Sequence, residues 1–466
     1  MIKKTLTVLS MSVAYFVNAQ DLSTLKNTAD VHSGTGLMGS SKYNAMAGSM
    51  GALGGDFSVL NSNPAGIGVS IASEFSGTLA IRSNNNSTNY SGQSLNYKVN
   101  DTDLGNVGGI AVFPIETSSP WKFVNVAVNY SNESIENYVE TAGNSGLVYD
   151  ITDGTGALID QLSFDGHAYN RYGRVSKMSV GVGANYNNNI YVGAGLNFHN
   201  AALDQYDTAA FVDNSGSVDV YNKQYSPFSE SSDGFSASVG VIGKINPQFR
   251  VGGAIETPTW WNISRLYSEY ENPTDGTYGE DRKLSSPLKA TLSAAYVPNK
   301  NFAINVDYTL GLTKPSYKVY GGAETELNNF FDNNYSNLSE VKVGAEYRYN
   351  ALRVRGGYGF ASSPFDSVNL QTIANNGTVG NNSYNDLMVG KRNLIGAGIG
   401  YDFKSFYIDA AYQNVSSTYS NPFIQGSAAN NTGYFSDNYI VNSDASIVSE
   451  VENKRDNFFI TLGWKF

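Results

Sequence analysis

The sequence predicts an all-β protein, a transmembrane antiparallel barrel of about 14 strands whose N-terminal segment plugs the lumen. Three observations predict it. Apolar residues recur every second position over most of the chain, short turns alternate strictly with long polar stretches, and the last strand ends on an aromatic residue, Phe466.

The first residues read as an export signal. Lys3 and Lys4 form a positive start, Leu6 to Val17 an apolar stretch, and Val17-Asn18-Ala19 a cleavage site, so residues 1–19 are assigned as signal peptide. Beyond them no run of about 18 apolar residues exists to form a spanning helix.

Residues 20–73 lack the two-residue alternation. They are rich in Gly, Met, Ala and Ser, as in Gly48-Ser49-Met50-Gly51-Ala52-Leu53-Gly54-Gly55-Asp56 and in Asn63-Pro64-Ala65-Gly66. Such a stretch is too apolar for a free linker and too Gly-rich for a regular helix, and a compact plug sheltered by a barrel wall satisfies both.

Residues 74–466 are assigned to the barrel. In the hairpin around Asn350-Ala351, Val341, Val343, Ala345, Tyr347 and Tyr349 share one face with Leu352, Val354, Gly356, Tyr358 and Phe360. Lys342, Gly344, Glu346, Arg348, Arg353, Arg355 and Gly357 share the other. Similar hairpins turn at Asn187-Asn188-Asn189, near Pro298-Asn299 and at Lys404-Ser405. Strands of about 10 residues are expected, with long external loops over roughly 83–105, 131–176, 202–233, 262–285, 313–338, 362–391 and 415–456.

Composition agrees. Among 466 residues there are 48 Gly, 32 Tyr and 23 Phe, with only 15% charged, which suits a ring-girdled wall better than a soluble enzyme. Cys is absent, which removes disulfides, thiolate metal sites and Cys nucleophiles together. A formal net charge of −11 argues against nucleic acid as a partner. His32, His167 and His199 show no metal-ligand spacing, and Gly34-Thr35-Gly36-Leu37-Met38-Gly39 matches a dinucleotide pattern without the flanking βαβ unit. No catalytic constellation, metal site or cofactor site emerges, so the chain is not expected to be an enzyme. Trp260-Trp261 falls where a strand leaves the membrane and reads as part of an interfacial belt.

The Gly-rich segment ending in Asn63-Pro64-Ala65-Gly66 before the first strand resembles the OmpP1/FadL/TodX family, outer-membrane transporters of long-chain fatty acids and aromatic hydrocarbons. The stretches 249–258 (FRVGGAIETP), 286–296 (SPLKATLSAAY) and 352–364 (LRVRGGYGFASSP) extend the likeness. The resemblance implies fourteen strands, a hatch closing the lumen, and a kinked third strand that opens the wall sideways. On this count that strand lies near Trp121–Tyr130, where Val124, Val126, Val128 and Tyr130 alternate and no Gly marks a kink. It also implies location in the bacterial outer membrane and passive passage of hydrophobic small molecules. Expected partners are membrane lipids, such a substrate and the outer-membrane assembly machinery. Some barrels of this kind bind exported proteins instead, which the long loops would allow.

Candidate substrate or plug residues follow. Inward-facing Lys289, Arg348 and Arg353 could meet an anionic group; Arg355 is expected opposite Glu346, Arg353 opposite Arg348, and Lys289 opposite Thr309. Asn63, Pro64, Ala65 and Gly66 form either an ordinary turn or a functional plug contact. Met46 and Met50, with Met38, could adapt to varied apolar ligands or simply pack the plug.

Overall fold

In a bilayer, every backbone amide must find a partner within the wall, and a strand array meets that demand only by closing on itself. The computed structural model describes residues 19–34, 38–116, 118–268, 277–319 and 323–466, and in it the wall does close. The proposed signal peptide, 1–19, lies outside the described residues except for its last residue, Ala19.

Fourteen antiparallel strands form the barrel. They are β1 (Glu74–Tyr90), β2 (Gln93–Pro114), β3 (Trp121–Thr152), β4 (Leu158–Tyr186), β5 (Ile190–Val212), β6 (Phe228–Lys244) and a broken β7 (Phe249–Glu256, then Trp260–Ser268). A broken β8 (Thr277–Ser285, then Lys289–Asn299) follows, with β9 (Phe302–Gly311), β10 (Ser339–Tyr349), β11 (Leu352–Ala361), β12 (Arg392–Asp402), β13 (Phe406–Phe423) and β14 (Ile447–Lys465). β14 returns to β1, from Glu74↔Lys465 to Asn89↔Glu450.

The alternation in sequence becomes a two-faced wall. Leu292, Val354, Ile399 and Leu462 point outward, while Thr291, Glu346, Arg355 and Asp409 point inward and are buried. Rings edge the apolar band: Trp464, Phe406, Phe403, Tyr349 and Phe249 lie towards the short turns, and Phe198, Phe235, Trp260 and Phe360 towards the long loops. The short turns suit the register because Asn188 (φ 55°) and Asn350 (φ 54°) adopt left-handed backbone, which Asn tolerates.

Three expectations need correction. Many strands are far longer than 10 residues: β3 runs for 32 and β4 for 29. Stretches such as 131–176 and 202–212 were expected as loops because their outer face turns polar, but they continue the ladder above the apolar band, where a polar outer face is what water requires. Lys289 pairs with Gly311, not Thr309, because the strands turn tightly at Lys300-Asn301, between Asn299 and Phe302, rather than over 297–301, and a bulge between Tyr296 and Asn299 takes back one residue of that shift. Trp260 is indeed outward, but Trp261, one residue on, faces the lumen and is 3% exposed.

Beyond the band, the arms of β3, β4 and β5 gather with residues 423–447 into a roof over the barrel mouth. Its core includes Leu147, Leu162, Phe164, Phe211, Tyr221, Phe423, Tyr434 and Ile447. Asp207 pins it, accepting from the Tyr434 hydroxyl at 2.6 Å with His167 Nε2 at 2.8 Å. Long-loop residues 313–338 hold helix α3 (Ala323–Asn334), whose Phe331 packs on Tyr317 and Tyr335 and whose Phe330 packs on Phe331 and Phe365.

The outward face tests the wall directly. Leu292 is 64% exposed at mid-band, so Leu292→Arg should cost about 2–4 kcal/mol in urea titrations in phospholipid. An unchanged midpoint would place that face in water.

Candidate functional site

The segment before β1 folds into two bodies inside the lumen. The first is helix α1 (Ala19–Asn27) continued by a wider turn, Thr28–His32. The second, the hatch, spans 38–70 and contains α2 (Ser41–Ala45) and two 3₁₀ turns, Phe57–Asn61 and Pro64–Val69.

The hatch sits in the short-turn half, where the wall presents glycines to it. A Cβ on Gly357 would lie 2.3 Å from the Met46 carbonyl carbon, and one on Gly193 would lie 2.4 Å from the Pro64 oxygen. Only a residue without a side chain admits the hatch backbone at such positions. Wall side chains then take up its free amides. Asp307 accepts from Met50 N at 3.0 Å and Gly51 N at 3.1 Å, and Thr461 Oγ1 accepts from Ser41 N at 2.8 Å.

Asn63 is the joint of the hatch. Its Oδ1 accepts from Ala65 N, capping the Pro64–Val69 turn, while its Nδ2 donates to Gly51 O at 2.8 Å and to the wall at Val241 O at 3.2 Å. Pro64, Ala65 and Gly66 are buried beside it. Met46 and Met50 lie in the hatch core with Tyr43, Phe57, Leu60 and Ile67, whereas Met38 reaches the cavity above.

Helix α1 sits higher, held mostly by polar contacts. Arg171 pairs with Asp30 and donates to Asn27 Oδ1 at 2.7 Å; Arg265 and Arg282 both donate to Thr24 Oγ1. Trp261 Nε1 donates to His32 O at 3.2 Å. Lys26 is the exception. Among the described residues its buried amine has no hydrogen-bond partner, and it faces the rings of Tyr169 at 4.3 Å and Tyr419 at 4.9 Å. Burial, reinforced by the Arg171 charge, pulls its pKa down to about 7.

Between α1 and the hatch lies a cavity of about 290 Å³. Lys26, Ala29, Asp30 and His32 form its ceiling, and Met38, Leu60 and Asn61 belong to its floor. One side is apolar, with Trp261, Tyr335, Leu338 and Met388; elsewhere Lys177, His199, Glu256, Lys289, Glu340 and Lys342 face in. Lys289 Nζ donates to Gly34 O at 3.0 Å, and Lys177 Nζ lies 3.6 Å from Glu256.

The cavity also reaches a seam in the wall. β2 and β3 are paired from Pro114↔Phe123 only as far as Asn106↔Ser131; above that point β2 stays with β1 and β3 with β4. Val99 and Asp101 on one side and Glu133, Ser134 and Glu136 on the other line the cavity there. Tyr130 and Leu104, at the top of the outward apolar face, flank the start of the seam. The third strand therefore leaves its neighbour just above Trp121–Tyr130, and the glycine at the parting, Gly105, lies on β2, where it bulges from the ladder to β1.

Of the sequence-derived candidates, Lys289 lines the cavity and Asn63, with its neighbours, anchors the hatch. Arg348 and Arg353 stand at the short-turn end instead, Arg348 Nε donating to Glu346 at 2.5 Å and Arg353 lying 3.4 Å from Asp402. Arg355 bridges Glu346 and Asp409 at 2.6 and 2.7 Å, on the expected register. Sequence reasoning missed Lys26, Lys177 and Trp261. Parity held the signal for two of them: Lys177 shares a face with Ser179, Gly181 and Gly183, and adjacent tryptophans in a strand must point opposite ways.

No protein-family model matches the sequence, and no curated protein matches it. Solved structures do resemble the fold. The toluene transporter TodX of P. putida aligns over 92% of this chain and 99% of its own, at 12% identity and a TM-score of 0.52. A Pseudomonas aeruginosa FadL homologue aligns over 92% and 99%, at 13% identity and a TM-score of 0.50. At such identities the likeness speaks for the fold.

Two outcomes follow from the plug contacts. Asn63→Ala removes a cap and two buried donor contacts, so the hatch should loosen by about 2 kcal/mol; amide exchange of residues 38–70 would rise while exchange of the wall stays put. For Lys26, the docked amine titrates near 7 and the free one near 10.5. The undocked chain therefore holds the extra proton between those values, and docking of α1 should tighten as pH rises through that window. Lys26→Met should level the slope, read as exchange protection of residues 24–32 corrected for intrinsic rate.

Proposed function

We propose that this protein passes hydrophobic small molecules across the bacterial outer membrane, by passive diffusion and without catalysis. One observation carries the reading: a cavity with an apolar side, held inside a lipid-facing wall between two parts of a plug and continuous with a seam at the rim of the apolar band. The architecture shared with the toluene transporter TodX and the FadL homologue supports it.

The route follows from what is blocked. At the long-loop end the roof core packs rings that would be costly to part. The seam is bridged by a few polar contacts, such as Asn132 Nδ2 donating to Asp103 Oδ2 at 2.8 Å and Arg82 to Asn132 O at 2.7 Å. A solute moving between the cavity and the outer rim of the bilayer would part these bridges rather than the roof. Release at the short-turn end would need the hatch to shift.

A second reading rests on the roof. Val148, Leu158, Ile159, Val218 and Val220 are each at least half exposed, well beyond the apolar band, and an exported protein could dock there.

Uptake separates the two readings. Cells expressing the protein should take up labelled toluene or oleate faster than cells without it, and bridging Asp103→Cys to Asn132→Cys with a short thiol reagent should cut that gain severalfold. The chain has no Cys of its own to interfere. Undiminished uptake through the bridged seam would refute the lateral route, and no uptake in any strain would favour the docking reading.

A further inference from the structure

The cavity places a cationic pair one side chain away from an aromatic wall. Lys177 and Lys289 both act electrostatically on Glu256 and on His199. Glu256 Oε1 already accepts from Ser236 Oγ at 3.0 Å, and Ser236 Oγ lies 3.1 Å from His199 Nε2. Lys177 pairs with that carboxylate at 3.6 Å, while Lys289, whose amine donates to Gly34 O, feels it only at longer range. Lys289 is also influenced by Glu340 and Lys342, whose charges offset each other. One positive charge is left over. On its far side His199 stands 5.4 Å from the ring of Trp261, which closes the cavity with Tyr335, Leu338 and Met388.

We propose that the cavity takes an aromatic monocarboxylate, its ring against Trp261 and its carboxylate between Lys177 and Lys289. This rests on the transport reading and narrows it to a substrate class. A neutral hydrocarbon would fill the same space but strip water from both ammonium groups and return nothing. A carboxylate supplies the missing charge and accepts from both amines. The ring supplies the flat apolar surface that Trp261 pairs with edge-on or offset. A compact acid suffices, because the aromatic and cationic features are separated by a single imidazole.

Tryptophan fluorescence can read this. Trp121, Trp260 and Trp464 face outward and Trp261 inward, so replacing those three with Phe leaves one lumenal reporter. In this background 4-iodobenzoate should quench Trp261 saturably. Iodobenzene and 12-bromododecanoate should bind at least about tenfold more weakly, and Lys289→Met or Lys177→Met should weaken 4-iodobenzoate by about tenfold. Lys289→Arg should retain most of the affinity, and each variant should keep the heat-modifiable gel mobility of an intact barrel. Equal or tighter binding of iodobenzene or the bromoalkanoate, or unchanged affinity in both Met variants, would overturn the proposal. Because binding is read on purified protein, a failure of uptake in cells would strike the transport reading alone.

Discussion

The closed backbone ladder is the constraint from which the rest of the molecule follows. Once β14 bonds to β1, no amide along the apolar band lacks a neighbour, and strand alternation sends each residue either to lipid or to the lumen. That division decides where charge can live. The Arg355 bridge to Glu346 and Asp409, and the Lys177–Glu256 pair, lie inside because a charge on the outer face would meet hydrocarbon. The wall breaks its own pattern chiefly where lipid no longer enforces it. β7 and β8 are interrupted at Pro258 and Pro287, residues without an amide hydrogen, and the ladder is patched by Ser286 N donating to Thr259 O at 3.0 Å and Thr259 N donating to Ser286 Oγ at 2.9 Å.

Closing a wall of fourteen strands leaves a bore too wide for its own side chains to fill. The N-terminal segment fills it, and its two bodies are bound differently. The hatch fits by shape: glycines on the wall accept its backbone, and Asn63, Asp307 and Thr461 satisfy its polar groups. Helix α1 is held by arginines reaching in from long strands, together with an unpartnered lysine that weakens the fit. The cavity is the space that neither body occupies.

Much of this was legible in the sequence, and the reasons for the rest are physical. The band, the strand count and the short turns could be read because lipid imposes strict alternation on hairpins such as Val341–Phe360. The upper arms could not, since above the lipid both faces of β3 and β4 may be polar and period two carries no hydrophobic signal. The inward glycines are explained by the hatch backbone that packs on them, which strand alternation alone does not reveal. Lys289 was placed on the correct face but two residues out of register, because the turn falls at Lys300-Asn301, beyond Pro298-Asn299 where the turn residues suggest it, and a bulge after Tyr296 shifts the ladder once more. Lys26 depends on contacts between distant segments, which no local pattern encodes.

The mixed lining of the cavity bears on how such a barrel could carry apolar cargo at all. A wholly apolar bore would hold a hydrophobic solute tightly and release it slowly, while a wholly polar one would exclude it. Here the apolar patch around Trp261 and Met388 lies against a ring of paired charges, each largely satisfied within the wall. Binding of such cargo would then be confined to one side of the lumen, and the polar remainder would keep the site from becoming a sink. The surplus charge at Lys177 and Lys289 breaks that neutrality at a single place, and that is where the lining can distinguish an acid from a hydrocarbon of the same size.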